Sequence, residues 1–163
     1  MSCGLWVVSG CRRQYFDGDV SVNRTSFEKL RVYELAEILA DTIGNVTLQW
    51  DHYARDTVGK QIVRAADSVG ANIAEGLGRG TSADNQRFVR IARGSLNETK
   101  HWLRRAYKRH LLPEKTTAEL RPLVDELAPK LNAYLRSISE RAKAHRKGNS
   151  PPTTHDSQPT TDE

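Results

Sequence analysis

The chain has 163 residues, 37% hydrophobic and 28% charged, with a net charge of +5 and a pI near 9.4. That is the length of one domain, enough to bury a core without disulfide or metal staples. No run approaches the roughly 18 apolar residues of a membrane span, and Cys3 and Cys11 lack the spacing and the nearby histidine of a zinc knuckle.

Residues 1–24 hold no sustained periodicity and read as an unstructured leader with two reduced cysteines, which leaves a start near Val20 or Val22 open. The apolar run Leu5-Trp6-Val7-Val8 is too short for a signal peptide and follows no basic residue, which points to a cytoplasmic protein. Thr25-Ser26-Phe27-Glu28 is a capping box. It opens a first helix over 26–43, with Val32, Ala36, Leu39 and Ile43 on one face, Leu35 and Ile38 widening it, and Gly44-Asn45 as the stop. Residues 45–55 read as a connector in which Trp50 and Tyr53 cover one end of the core and His52 packs or meets solvent.

Asp56-Thr57 is the expected cap of a second helix reaching Gly78, with Val58, Ile62, Ala65, Ala66, Val69, Ile73 and Leu77 on one face. Gly59, Gly70 and Gly76 each cost that helix about 1 kcal/mol against Ala, so close approach of neighbouring backbones is expected there. Ser82 or Asp84 caps a third helix over 83–110, with Phe88, Ile91, Ala92, Leu96, Thr99, Trp102, Leu103 and Ala106 as its apolar arc and Leu111-Leu112-Pro113 as its end. Thr116-Thr117-Ala118-Glu119 caps a fourth helix reaching 141, with Leu120, Leu123, Val124, Leu127, Leu131, Leu135 and Ile138 inward. Pro122 and Pro129 fall inside that pattern, where each predicts a kink or a later start. From 142 to 163 the composition predicts a disordered tail. Short links between four amphipathic helices predict an all-α, up-and-down four-helix bundle over 25–141.

The charge is concentrated. Residues 82–112 carry Arg87, Arg90, Arg93, Lys100, Arg104, Arg105, Lys108 and Arg109 against Asp84 and Glu98, so 8 minus 2 gives +6, more than the +5 of the whole chain. The first helix is acidic, with Glu34, Glu37 and Asp41. At about 100° per residue Arg87, Arg90, Arg93, Lys100, Arg104 and Lys108, with Gly94, Asn97 and His101, lie opposite the apolar arc. A solvated helix usually mixes signs to gain pairs one turn apart. Arg outnumbers Lys, which suits bidentate contacts to phosphate or carboxylate. No aromatic interleaves the stripe on this reading, so stacking on unpaired bases is not expected. The stripe is therefore expected to meet RNA or DNA, or an acidic protein surface such as another subunit's first helix, with plain solvation of an outer face as the alternative.

Isolated polar residues mark the second and third helices: Gln61, Ser68, Asn72 and Glu75, then Ser95 and Glu98. Glu98 and His101 stand at Glu-x-x-His spacing, but a di-metal bundle needs that motif twice. No nucleophile–base pair or ligand cluster emerges, so no catalytic residue, metal or cofactor is expected. The polar residues read as register devices that satisfy one another or nearby backbone groups, with Glu75 paired to Arg79 one turn on.

Two ungapped stretches carry a resemblance. Gln61, Arg64-Ala65-Ala66, Ser68-Val69, Asn72-Ile73-Ala74-Glu75-Gly76 and Arg79, followed by Phe88 and Ile91-Ala92-Arg93-Gly94-Ser95-Leu96 with Glu98, resemble the signature of the four-helix-bundle proteins encoded in 23S rRNA intervening sequences. These are related to the accessory variability proteins of diversity-generating retroelements. The resemblance spans residues 26–138. It implies a ring-like homopentamer and, for the retroelement relatives, a basic surface that binds nucleic acid and a reverse transcriptase.

Overall fold

The computed structural model describes residues 30–148. The leader, Cys3, Cys11, the Thr25–Glu28 capping box and the tail beyond 148 lie outside the described residues. Four helices follow one another: α1 (Arg31–Thr47), α2 (residues 52–78), α3 (Ser82–Lys108) and α4 (Glu114–Gly148). The links are short, and each helix packs on its two neighbours around the ring α1–α2–α3–α4, with α2 against α3 the most extensive pairing. That arrangement is the expected up-and-down bundle, and the described residues contain no strand.

The core follows the apolar periodicity. Leu35, Leu39 and Ile43 of α1, Val58, Ile62, Ala66, Val69 and Ile73 of α2, Val89, Ala92, Leu96 and Thr99 of α3, and Leu120, Leu127 and Leu131 of α4 are all buried. Thr99 enters this apolar layer because its hydroxyl donates to the Ser95 carbonyl at 2.8 Å, leaving only its methyl to pack. Ile91, expected in the core, is 42% exposed, and Val89 takes the inward position. The true inward stripe of α3 is centred on Ala92 and Leu96, so Ile91 and Ser95 sit on its flank.

Several ends differ from the sequence reading, each for a local reason. Gly44 does not stop α1. Its backbone stays helical, its carbonyl accepts from Leu48 N–H at 3.2 Å and the Thr47 hydroxyl at 2.8 Å, and the helix runs to Thr47. The second helix starts before Asp56-Thr57. Asp51 is the cap, its Oδ1 accepting from Ala54 N–H at 2.9 Å. The helix then passes from His52–Ala54 through a π-helical stretch, Arg55–Gly59, into Lys60–Gly78. Trp50 is buried as expected, but Tyr53, carried on this extra turn, is 75% exposed and covers nothing.

The third helix is capped by Thr81 rather than Ser82 or Asp84. Thr81 Oγ1 accepts from Asp84 N–H at 3.0 Å and donates to Asp84 Oδ2 at 2.6 Å. The turn before it needs Gly80, whose φ is +74°. At the other end His110 adopts the left-handed conformation (φ 58°). Its N–H donates to the Tyr107 carbonyl at 3.0 Å, and Leu111 N–H donates to Ala106 at 3.0 Å. These two bonds form a Schellman cap, with histidine where glycine is usual.

The fourth helix begins at Glu114, ahead of Thr116, because the Pro113 carbonyl already accepts from Thr117 N–H at 3.0 Å. It continues unbroken through Pro122 and Pro129 and on to Gly148, past residue 141. Both prolines are exposed and seven residues apart, so they share the solvent face. The carbonyls that lose a partner belong to Ala118 and Asp125, which are also exposed, so water can replace the missing N–H.

Candidate functional site

The three glycines of α2 behave differently from one another. A Cβ at Gly59 or Gly70 would make ordinary contacts, at 3.6 Å or more. At Gly76 it would stand 2.9 Å from Phe88 Cβ, 3.0 Å from Asn85 Oδ1 and 3.4 Å from Asn85 Cα. Only Gly76 is therefore required by close helix approach. Around that crossing the Arg79 guanidinium lies 5.4 Å from the Phe88 ring centroid and donates from Nε to Glu75 Oε1 at 3.0 Å. Glu75, Gly76, Arg79 and Phe88 thus form one corner that fixes where α2 hands over to α3.

The other polar motif residues do not join the helices to each other. Ser68 Oγ donates to the Arg64 carbonyl at 2.7 Å, Asn72 Nδ2 to Ser68 at 2.6 Å, and Ser95 Oγ to Ile91 at 3.2 Å. Glu98 accepts from Trp102 Nε1 at 3.4 Å. Each bond stays within its own helix, so these residues set no register between α2 and α3. Gln61, Glu75, Gly94 and Glu98 are exposed, and Ser68, Asn72 and Ser95 are half-buried. No three His, Cys, Asp or Glu side chains among the described residues come together as a metal set.

The basic residues of α3 stand where their spacing places them. Arg87, Arg90, Arg93, Arg104, Arg105, Lys108 and Arg109 are exposed and Lys100 is half-buried. From Arg87 to Lys108 the row extends about 30 Å at 1.5 Å per residue. Ion pairs among the described residues join Arg31 to Glu34 and Glu126, Lys60 to Asp56, Arg79 to Glu75 and Lys130 to Glu126; none involves a basic residue of α3. Arg93 donates to Asn132 Oδ1 of α4 and Arg90 to Gln86 Oε1, both at 3.3 Å and both to neutral acceptors. Among the described residues the charge of this face is therefore not ion-paired.

At the C-terminal end of the row a groove of about 600 Å³ opens between α3 and α4. Lys100, Arg104, Lys108 and Tyr107 line it from α3, and Arg121, Val124 and Asp125 from α4. Tyr107 is 60% exposed. Helical spacing alone shows no aromatic in the stripe because Tyr107 lies at its edge, beside the apolar arc. Only the packing of α4 leaves it uncovered among cations.

A second cleft, of about 540 Å³, lies between the end of α1 and α2, lined by Leu48, Arg55, Lys60, Val63 and Asp67 among others. Burial raises the Asp67 carboxyl above its ordinary range, and the neighbouring Asp41 charge adds to the effect. Lys60 acts oppositely on Asp56, lowering it through a hydrogen bond and its charge. Arg55, Lys60 and Arg64 line the same cleft, so Asp67 sits there among cations, on other helices from the basic face of α3.

Comparison with known proteins supports the same architecture. The family model described as 23S rRNA-intervening sequence protein matches residues 28–133. Among solved structures, a protein of unknown function from the S23 ribosomal protein family of Bacteroides thetaiotaomicron superposes with a TM-score of 0.57 and 23% identity, covering 64% of this chain and 97% of that one. At that identity the likeness is one of fold. No curated protein matches the chain.

Proposed function

Because the chain belongs to the 23S rRNA-intervening sequence protein family, we propose that it works as a non-enzymatic helical bundle in the cytoplasm that binds RNA or DNA through the outer face of α3. The observation that carries this reading is the row of seven cations on α3, from Arg87 to Lys108, none of them ion-paired among the described residues. Cations held on a rigid helix without counter-charges match an anionic polymer, whose phosphates release condensed counterions on binding. Side chains aimed at phosphates position a duplex or strand without reading its bases. Binding is therefore expected to be weakly sequence-selective and steeply salt-dependent. With about six phosphate contacts, affinity falls roughly 10³-fold between about 50 and 200 mM salt. Fluorescence anisotropy with labelled RNA and DNA over that range checks it, and no binding at about 50 mM salt overturns it.

A second reading, an oligomeric scaffold, is favoured by the position of the motif residues. Gln61, Glu75 and Glu98 are exposed, and Ile91 beside Ser95 is a solvent-facing apolar group. A motif spent on the outside of a subunit suits contact between copies, in line with the homopentamer that the family resemblance implies. An accessory role beside a reverse transcriptase belongs to this reading. Light scattering is expected to give a mass several times the 18.3 kDa of the chain; a monomer at micromolar concentration removes the scaffold reading while leaving the basic face untouched.

A further inference from the structure

We propose that the groove between α3 and α4 accepts an unpaired nucleotide of a single-stranded nucleic acid, its base stacked on Tyr107 and its phosphates held by Lys100, Arg104, Lys108 and Arg121. This rests on the reading of α3 as a nucleic-acid surface and gives it a strand preference. Three observations support the assignment. The groove is about 600 Å³, a volume that takes a group the size of a nucleotide. Its charged lining is four cations against one carboxylate, Asp125, a net of +3. Its one aromatic, Tyr107, is 60% exposed and has no hydrogen-bond or ring partner for its side chain among the described residues.

An exposed aromatic beside cations is the arrangement that tracks single strands, because every base has a π-face and every linkage a phosphate. Paired bases are stacked on one another inside a duplex and cannot enter. Leu103, Leu112, Leu120 and Val124 give the groove an apolar floor against which a base edge loses little. Asp125 repels phosphate and accepts hydrogen bonds only. It therefore sets the sugar or a base amino group beside Asp125, and the backbone toward Lys100, Arg104, Lys108 and Arg121.

The test measures binding of the full chain to a labelled 12-nucleotide RNA and to the same RNA annealed to its complement, at about 50 mM salt, with wild type, Tyr107→Ala and Tyr107→Phe. Tyr107→Ala is expected to weaken single-strand binding roughly 5- to 150-fold, the equivalent of about 1–3 kcal/mol for one stacked base, while leaving duplex binding within about twofold. Tyr107→Phe keeps the ring and is expected to stay near wild type. Circular dichroism melts verify that the exposed substitutions leave the fold intact. If Tyr107→Ala binds the single strand as wild type does, or loses strand and duplex equally, the groove is not a base site, although the basic face stands. If wild type binds neither RNA, the reading of α3 fails and the groove fails with it.

Discussion

Reversing Arg90, Arg93 and Arg104 together to glutamate is expected to weaken nucleic-acid binding by about 10²-fold or more at about 50 mM salt, and to flatten the plot of log affinity against log salt by about three. Each reversal deletes a phosphate contact and sets a like charge against the backbone. The bonds forfeited inside the protein are slight: Arg93 to Asn132 and Arg90 to Gln86, each at 3.3 Å and on the surface. Exposed substitutions of this kind usually change stability by less than about 0.5 kcal/mol each, so a thermal melt should barely move. The control reverses Arg55, Arg64 and Arg136, exposed cations outside α3 that change the net charge equally. If that control weakens binding as much, long-range net charge rather than the face of α3 attracts the polymer. If neither triple variant loses affinity, α3 is not the binding surface.

The second large effect concerns the helix crossing. Gly76→Ala is expected to destabilise the bundle although alanine is the better helix former by about 1 kcal/mol. The new methyl would press on Phe88 Cβ at 2.9 Å and Asn85 Cα at 3.4 Å, neither of which is the free end of a flexible side chain. Widening the α2–α3 contact to admit it costs about 1–3 kcal/mol, leaving a net loss of up to about 2 kcal/mol. Gly70→Ala makes the opposite test. Its methyl meets Tyr33 Cε2 at 3.6 Å and Ala36 Cβ at 3.9 Å, ordinary contacts, so the propensity gain survives and stability rises by up to about 1 kcal/mol. Urea unfolding of the two variants side by side separates the sites. Equal behaviour would show that the α2–α3 separation is not set at Gly76.

The sequence by itself determined the four helices, their order, the centres of the inward stripes and the basic row, because each is written in a periodicity of 3.6 that the backbone must obey wherever the helix lies. It also contained Glu75 with Arg79, a pairing one turn apart that needs no tertiary partner. The ends of helices were less legible. Asp51 and Thr81 capped in place of neighbours with equally suitable side chains, and Pro122 and Pro129 were absorbed because both face water. What only the tertiary structure decided was set between helices. Periodicity alone leaves an arc's edges ambiguous, so Val89 could displace Ile91 inward only when α2 and α4 closed on α3. The same packing made Gly76 indispensable while Gly59 and Gly70 stayed permissive, since a methyl group's cost depends on what lies across the gap. It also left Tyr107 open in a basic groove that neither α3 nor α4 forms alone.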